Sequence, residues 1–396
     1  MAAVAKVSFA RPGEIRLEAL PPLSLYVHMP WCVRKCPYCD FNSHEKKDGA
    51  LPEEEYCAAL LADLEHALPW IWGRRIYSIF FGGGTPSLFS ARSVDRLLSD
   101  IRSRVQVAAD AEITLEANPG TFEAQKFRDF RAAGINRLSI GVQSFNDSHL
   151  RALGRIHGAD EARRAIAIAQ DNFDDINLDL MYGLPSQDAG QARADLDEAI
   201  AQRTTHLSVY HLTLEPNTVF HRRPPALPDH DLSAQMQEAA EASLAVADFE
   251  HYETSAFARP GLRSRHNLNY WQFGDYLGIG AGAHGKISFP DRIERHARAK
   301  QPREYMALAS QGKSIVEQRV LSRADLPFEF MLNALRLVEG FPLELMRERT
   351  GMELASVQAA LERGEVLGLL QRDWRALRPT LKGQRFLNDL LALFLP

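Results

Sequence analysis

The sequence predicts an α/β protein: a partial (β/α)6 barrel followed by a C-terminal helical, winged-helix-like domain. Three observations carry this expectation. Short β-rich runs alternate with helical patterns from Leu23 to about residue 213, the signature of βαβ units and a parallel sheet. Glycine and polar residues gather just after those runs, at Gly82–Gly84, Glu116–Asn118, Gln143 and Asp179, where such folds place their chemistry. The alternation then stops, and residues 321–396 carry a different pattern of helices and one strand pair.

Residues 1–22 hold Pro12, Gly13, Pro21 and Pro22 and read as an irregular tail. Strands are expected at Ser24–His28, Ile76–Phe81, Glu112–Glu116, Arg137–Gly141, Ile176–Met181 and His206–His211. The intervening helices are Glu53–Leu68, Ala91–Arg102, Glu123–Ala133, Asp160–Gln170 and Gln191–Gln202. These units fall short of a full eight-stranded barrel, so an open one fits. Barrel residues are placed at 23–250, with a long helix at Asp231–Ala247. Glycine-rich and aromatic loops are expected over 250–300, within a barrel extension placed at 251–320. The C-terminal module should contain helices at Phe328–Leu337, Leu343–Thr350 and Ala355–Arg363, a strand pair at Leu369–Arg378, and a final helix over Lys382–Leu395. It balances ten basic against ten acidic residues, which argues for packing or partner docking rather than DNA binding.

The whole chain of 396 residues has a formal charge of −5, so no general attraction to nucleic acid is expected. No signal-peptide pattern and no membrane-length apolar run is present, and a cytoplasmic location is expected. Three of the four cysteines fall within eight residues. In a long chain of this kind such clustering points to metal binding or catalysis rather than disulfides. Cys57 lies on a helical stripe with Leu60, Leu61, Leu64 and Leu68 and is expected to be buried and inert.

Cys32, Cys36 and Cys39 form C-x3-C-x2-C after the first strand. Thiolates at this spacing can wrap a [4Fe–4S] cube corner by corner, and three ligands for four irons leave one iron open. Zinc and inert thiols are the other readings; zinc needs a fourth ligand, for which His28 and His44 are candidates. Arg34 and Lys35 either offset cluster charge or are simply solvated. His28 either orients the cysteine loop or packs at its strand end. In Phe81-Gly-Gly-Gly-Thr-Pro-Ser87 the glycines permit close backbone approach to a ligand. No Lys follows, so this is not a nucleotide-phosphate loop.

The cysteine spacing, with aromatic Tyr38 before the third Cys, resembles the radical S-adenosylmethionine superfamily. The resemblance runs from about Leu23 to the C-terminus and implies a [4Fe–4S] cluster whose open iron chelates S-adenosylmethionine, then cleaves it to a 5′-deoxyadenosyl radical. It implies further that Gly83, Gly84 and Thr85 meet the methionine amino group. Glu116, Gln143, Arg155 and Asp179 match, in order and context, the coproporphyrinogen-dehydrogenase-like branch, which makes them contacts to the same cofactor. Tyr26 and Gly278–His284 also match.

Within that branch, oxygen-independent coproporphyrinogen III dehydrogenases carry a fourth Cys two residues after the third, and a longer N-terminal arm. Here the position is Phe41. The string His266-Asn-Leu-Asn-Tyr-Trp271 is similar to the mark of the HemW group of haem chaperones. That resemblance implies haem as cargo; His266 and Tyr270 are candidate iron ligands and Trp271 a candidate stacking partner, while the other reading of His266 is a hydrogen-bonded structural residue. It also implies haem-accepting partner proteins, respiratory and membrane-associated ones among them, and an electron donor. The alternative is the dehydrogenase itself, which forms vinyl groups by oxidative decarboxylation. A tRNA-modifying radical enzyme is disfavoured by the acidic balance and the lack of a dedicated RNA-binding domain.

Overall fold

Alternating side chains on the first strand explain how the barrel forms. In the computed structural model, which describes residues 15–46, 49–121 and 124–395, strand β1 spans Leu23–Met29. Leu23, Leu25, Val27 and Met29 are fully buried in the main hydrophobic core. Ser24, Tyr26 and His28 point to the opposite face, where Ser24 Oγ meets Ser78 Oγ of the next strand at 2.7 Å. Parallel strands buried on both faces usually read as continuous apolar runs. Here the second face is polar because it lines the inside of a curled sheet.

Five more parallel strands follow: β2 Arg75–Gly83, β3 Gln106–Ala117, β4 Arg137–Gln143, β5 Asp175–Tyr182 and β6 His206–His211. Helices α1 Glu53–Ile71, α2 Ala91–Arg104, α3 Ala124–Ala133, α4 Ala159–Gln170, α5 Ala189–Ala201 and α6 His230–Val246 connect them or follow. The expected open six-stranded α/β barrel is therefore present, with element ends shifted by a few residues. Side-chain caps set several helix starts: Ser90 accepts from Ser93 N–H, Asp188 from Gln191 N–H and Asp229 from Leu232 N–H.

Much of the stretch expected as loops over 250–300 is strand, with one short helix at Arg265–Trp271. Glu250–Glu253 (β7) and Ala256–Ala258 (β8) extend the sheet beyond β6. Asp275–Ile279 (β9) pairs parallel to β1, and His284–Ser288 (β10), Ile293–Arg298 (β11) and Ile315–Val320 (β12) continue outward antiparallel. The twelve-stranded order is β12-β11-β10-β9-β1-β2-β3-β4-β5-β6-β8-β7. Glycines misled the sequence reading here because they serve close backbone packing. A Cβ on Gly278 would lie 2.0 Å from the His284 carbonyl oxygen, and one on Gly280 would lie 2.4 Å from that of His28.

The C-terminal module has its own core, built on Phe330, Phe341, Met346, Leu361 and Leu377. Helices Leu326–Ala334, Leu345–Thr350 and Gln358–Val366 pack around the strands Phe341–Pro342, Leu370–Arg372 and Ala376–Pro379, a winged-helix-like arrangement. The single final helix expected over Lys382–Leu395 is instead two, Leu381–Arg385 and Leu387–Ala392, broken at Phe386. The break leaves Phe386 exposed while Leu390, Leu391 and Phe394 enter the core. Ile15 and Leu17 also join that core, so this part of the expected tail is docked. Pro12 and Gly13 lie outside the described residues.

Candidate functional site

The C-terminal ends of β1–β6 surround a cavity of about 370 Å³. Cys32, Cys36 and Cys39 all line it, as do Tyr38, Gly83, Gly84, Thr85, Glu116, Gln143, Arg155 and Asp179. Eleven residues picked from separate strand ends thus meet in one place.

The cysteine loop leaves β1 and is held at several points. Trp31–Cys32 pairs with His44–Glu45 as a two-residue parallel bridge, and Cys39 N–H donates to Cys36 C=O at 3.1 Å. Lys35 is not merely solvated: its Nζ donates to the carbonyls of Phe41 and Ser43, at 3.0 and 3.2 Å, while its backbone N–H donates to Glu45. Asn42 closes the loop. Its amide donates to the carbonyls of Ala281 and Lys300, at 2.9 and 2.8 Å. Its own carbonyl meets His28 Nε2 at 2.9 Å. His28 Nδ1 in turn meets the Tyr26 hydroxyl at 3.0 Å.

Both ring nitrogens of His28 are engaged, by Tyr26 and by the Asn42 carbonyl, which ties His28 to the cysteine loop. His44 does not line the cavity. Three thiols gathered on one cavity suit a cluster with an open iron. Burial raises the thiol pKa of Cys32 and Cys39; a bound metal reverses this by binding the thiolate.

The second strand ends on glycines for a geometric reason. Gly83 has φ +111°, and a Cβ there would lie 2.4 Å from the His28 ring. A Cβ on Gly84 would meet the Trp31 carbonyl oxygen at 2.6 Å. The turn is pinned by Gly84 N–H to Met29 C=O and Thr85 N–H to Trp31 C=O, both 2.8 Å. Gly83 N–H donates to Glu116 Oε2 at 3.0 Å.

Burial, then the charge of Asp179, pushes the Glu116 carboxyl up to about 8, against the Gly83 hydrogen bond. Asp179 is also raised by burial, although Asn177 and Ser139 donate to it at 2.8 and 3.0 Å. Two desolvated carboxyls on one cavity wall suit a positively charged, hydroxyl-bearing ligand. Arg155 supplies the opposite charge. Its Nη2 donates to Gly141 C=O at 2.6 Å and its Nη1 lies 3.8 Å from Cys36 Sγ. Gln143 sits at φ +69°, beside a register shift in β4, a strained conformation for a residue with a side chain and one that gathers at functional sites.

Two of the sequence candidates, Tyr26 and His266, are not among the residues lining the cavity. Tyr26 lies beside His28 on β1. His266 belongs to the helix Arg265–Trp271 (α7), whose start is capped by Ser264 and by Glu112, which accepts from the N–H groups of Arg265 and His266. Glu112 precedes Glu116 by four residues, about 13 Å along a strand. The His266 ring is stacked 4.4 Å from Phe80, with Tyr26 at 6.4 Å and Tyr270 at 4.8 Å. Burial lowers its pKa to about 3. Cys57 is partly buried against the core, and burial pushes its thiol up to about 12. The sequence reading missed Ser139, Tyr210, His211 and Glu215, which also line the cavity. The period-two polar pattern of β4–β6 was the available signal for the first two.

The family description "Radical SAM superfamily" matches residues 26–199, and "HemN C-terminal domain" matches 321–386. The chain is 49% identical over 378 residues to Heme chaperone HemW of Escherichia coli strain K12, covering 95% of this chain and 99% of that one. It is 37% identical to the mitochondrial radical S-adenosyl methionine domain-containing protein 1 of Mus musculus, covering 94% and 87%. Among solved structures it resembles coproporphyrinogen III oxidase HemN of Escherichia coli with a TM-score of 0.80, at 24% identity over 95% of this chain and 90% of that one; this likeness shows the fold.

Proposed function

We propose that this chain, which belongs to the HemW family of radical S-adenosylmethionine proteins, is a cytoplasmic haem chaperone that binds haem and passes it to acceptor proteins. The observation that carries the choice within the fold is Phe41. It stands two residues after Cys39, lines the cavity and is 61% exposed, where the decarboxylating relatives are expected to carry a fourth Cys.

Cys32, Cys36 and Cys39 would hold a [4Fe–4S] cluster with one iron open. Glu116 and Asp179 suit the hydroxyl and ammonium groups of S-adenosylmethionine, and Arg155 suits its carboxylate. Gly83, Gly84 and Thr85 allow its backbone-close approach, with Gln143 and Tyr38 completing the walls. When bound, the cluster supplies an electron from a separate donor protein. Tyr26 supports the site through the contact of its hydroxyl with His28, and His266 packs α7 against the barrel wall. Among the described residues no helix is long and apolar enough to cross a membrane, so delivery to a membrane-bound acceptor would occur by docking.

One anaerobic experiment separates the readings. Reconstituted protein titrated with haem should show a Soret shift and transfer haem to an acceptor apoprotein, while leaving coproporphyrinogen III unchanged. Conversion to protoporphyrinogen IX without haem uptake would favour the dehydrogenase instead.

A further inference from the structure

A chain of buried polar groups runs from α7 to the wall of the cofactor cavity. One end is Asp179, which lines the cavity. Asn177 Nδ2 donates to Asp179 Oδ1 at 2.8 Å, and Ser139 Oγ donates to Asp179 Oδ2 at 3.0 Å. His206 Nδ1 lies 2.6 Å from Asn177 Oδ1, and His206 Nε2 lies 2.8 Å from the Tyr252 hydroxyl. Tyr252 is on β7, and its oxygen accepts from the Asn267 side chain and from the Ser264 backbone N–H at the start of α7. Asn177, His206 and Tyr252 are all buried.

An ionised Asp179 fixes the direction of every hydrogen in the chain, because a carboxylate only accepts. The Asn177 amide turns its NH2 toward Asp179, so its oxygen faces His206. His206 therefore carries its proton on Nδ1 and accepts at Nε2 from the Tyr252 hydroxyl. Burial, then the charge of Arg137, holds the His206 pKa well below the usual range, so the ring is neutral and able to accept. Every donor thus points toward Asp179, and bonds aligned in this way polarise one another. Asn177 at one carboxylate oxygen and Ser139 at the other fix the plane of the group.

We propose that Asn177, His206 and Tyr252 are positioning residues that hold Asp179 aimed and polarised to bind the paired hydroxyls of the cofactor's ribose. The inference rests on the S-adenosylmethionine reading of the cavity and deepens it. Burial drives Asp179 toward its neutral form, and the Asn177 and Ser139 bonds and the Arg137 charge act against this. The chain supplies donors where water is excluded, and a charged acceptor binds a hydroxyl more strongly than a neutral one. Its far end is Asn267, one residue from His266, so the seating of α7 is joined by continuous hydrogen bonds to the cofactor wall.

The test is calorimetric binding of S-adenosylmethionine and of its 2′,3′-dideoxy analogue to the anaerobically reconstituted full chain, comparing wild type with Tyr252→Phe. The variant keeps the ring and loses the hydroxyl that His206 accepts from. It should bind S-adenosylmethionine about fivefold more weakly, the scale of one hydrogen bond, and bind the dideoxy analogue as wild type does. An equal loss for both ligands would mark a merely structural role and overturn the inference. Wild-type affinity for both would overturn it too, and either result leaves the cofactor reading standing. No binding of S-adenosylmethionine by the wild type would overturn both. If Tyr252→Phe loses its cluster absorbance, Asn177→Leu probes the same chain one bond from Asp179: a loss confined to S-adenosylmethionine supports the inference, and an equal loss or none rejects it.

Discussion

Arg155 and Cys36 are 119 residues apart in sequence, yet the Arg155 Nη1 lies 3.8 Å from the Cys36 sulfur. Arg155 is half-buried; burial opposes its charge, and Tyr38 and Cys36 beside it offset this. A cation between a thiol loop and the β4 strand end is available to a carboxylate entering the cavity. Arg155→Met should therefore weaken S-adenosylmethionine binding about tenfold or more, the scale of one lost charge-assisted hydrogen bond. Iron and sulfide content should stay near wild type. Calorimetry on the reconstituted protein checks the first, and chemical iron analysis the second.

Glu116 makes stability depend on pH in a definite direction. Its folded-state pKa is raised to about 8, well above that of an unfolded glutamate, so folding favours the protonated form. The stability it contributes is present in acid and is lost as pH rises from the ordinary carboxyl range through about 8. Glu116→Gln cannot ionise, so the apoprotein variant should gain melting temperature relative to wild type at pH 8.5 and gain little at pH 5. Equal gains at both values would refute the role of ionisation.

Gly83→Ala tests the backbone geometry. The change forces a side chain into φ +111° and against the His28 ring. A cost of about 1–3 kcal/mol is expected from the backbone alone. Because His28 holds Asn42, the cysteine loop should loosen as well, and reconstituted iron content should fall. Denaturant unfolding and iron analysis read the two effects separately.

The buried pair Lys286–Asp275, at 2.7 Å, joins β10 to β9 inside the extension. Arg74 reaches the same carboxylate at 2.8 Å. Lys286→Met leaves Asp275 with one cation where it had two. The expected destabilisation is about 3 kcal/mol, the lower end for a broken buried pair, measured by urea denaturation. Double replacement of Lys286 and Asp275 by apolar residues should recover part of it.

The parallel barrel was legible because each strand is a short apolar run between breakers, and because polar residues mark the strand ends. The cysteine loop was legible from spacing. Strands β9–β12 were not. Gly278-Ile-Gly-Ala-Gly282 looks like a loop until one sees that His28, Asn42 and His284 leave no room for a Cβ. The position of His266 was equally hidden, since only Glu112 and Phe80 reveal that its helix lies against the wall below the cavity.

The Asn42 clamp has a consequence for biosynthesis. The cysteines emerge from the ribosome early, but Asn42 is fastened by carbonyls 239 and 258 residues further on. Until Ala281 and Lys300 have been synthesised and β9 has paired with β1, the loop carries its thiols without its anchor. Metal loading should therefore follow chain completion, and nascent chains stalled before residue 281 should retain far less iron than released ones. A fold that places its clamp so late delays the arrival of an oxygen-sensitive cluster until the protein around it is finished.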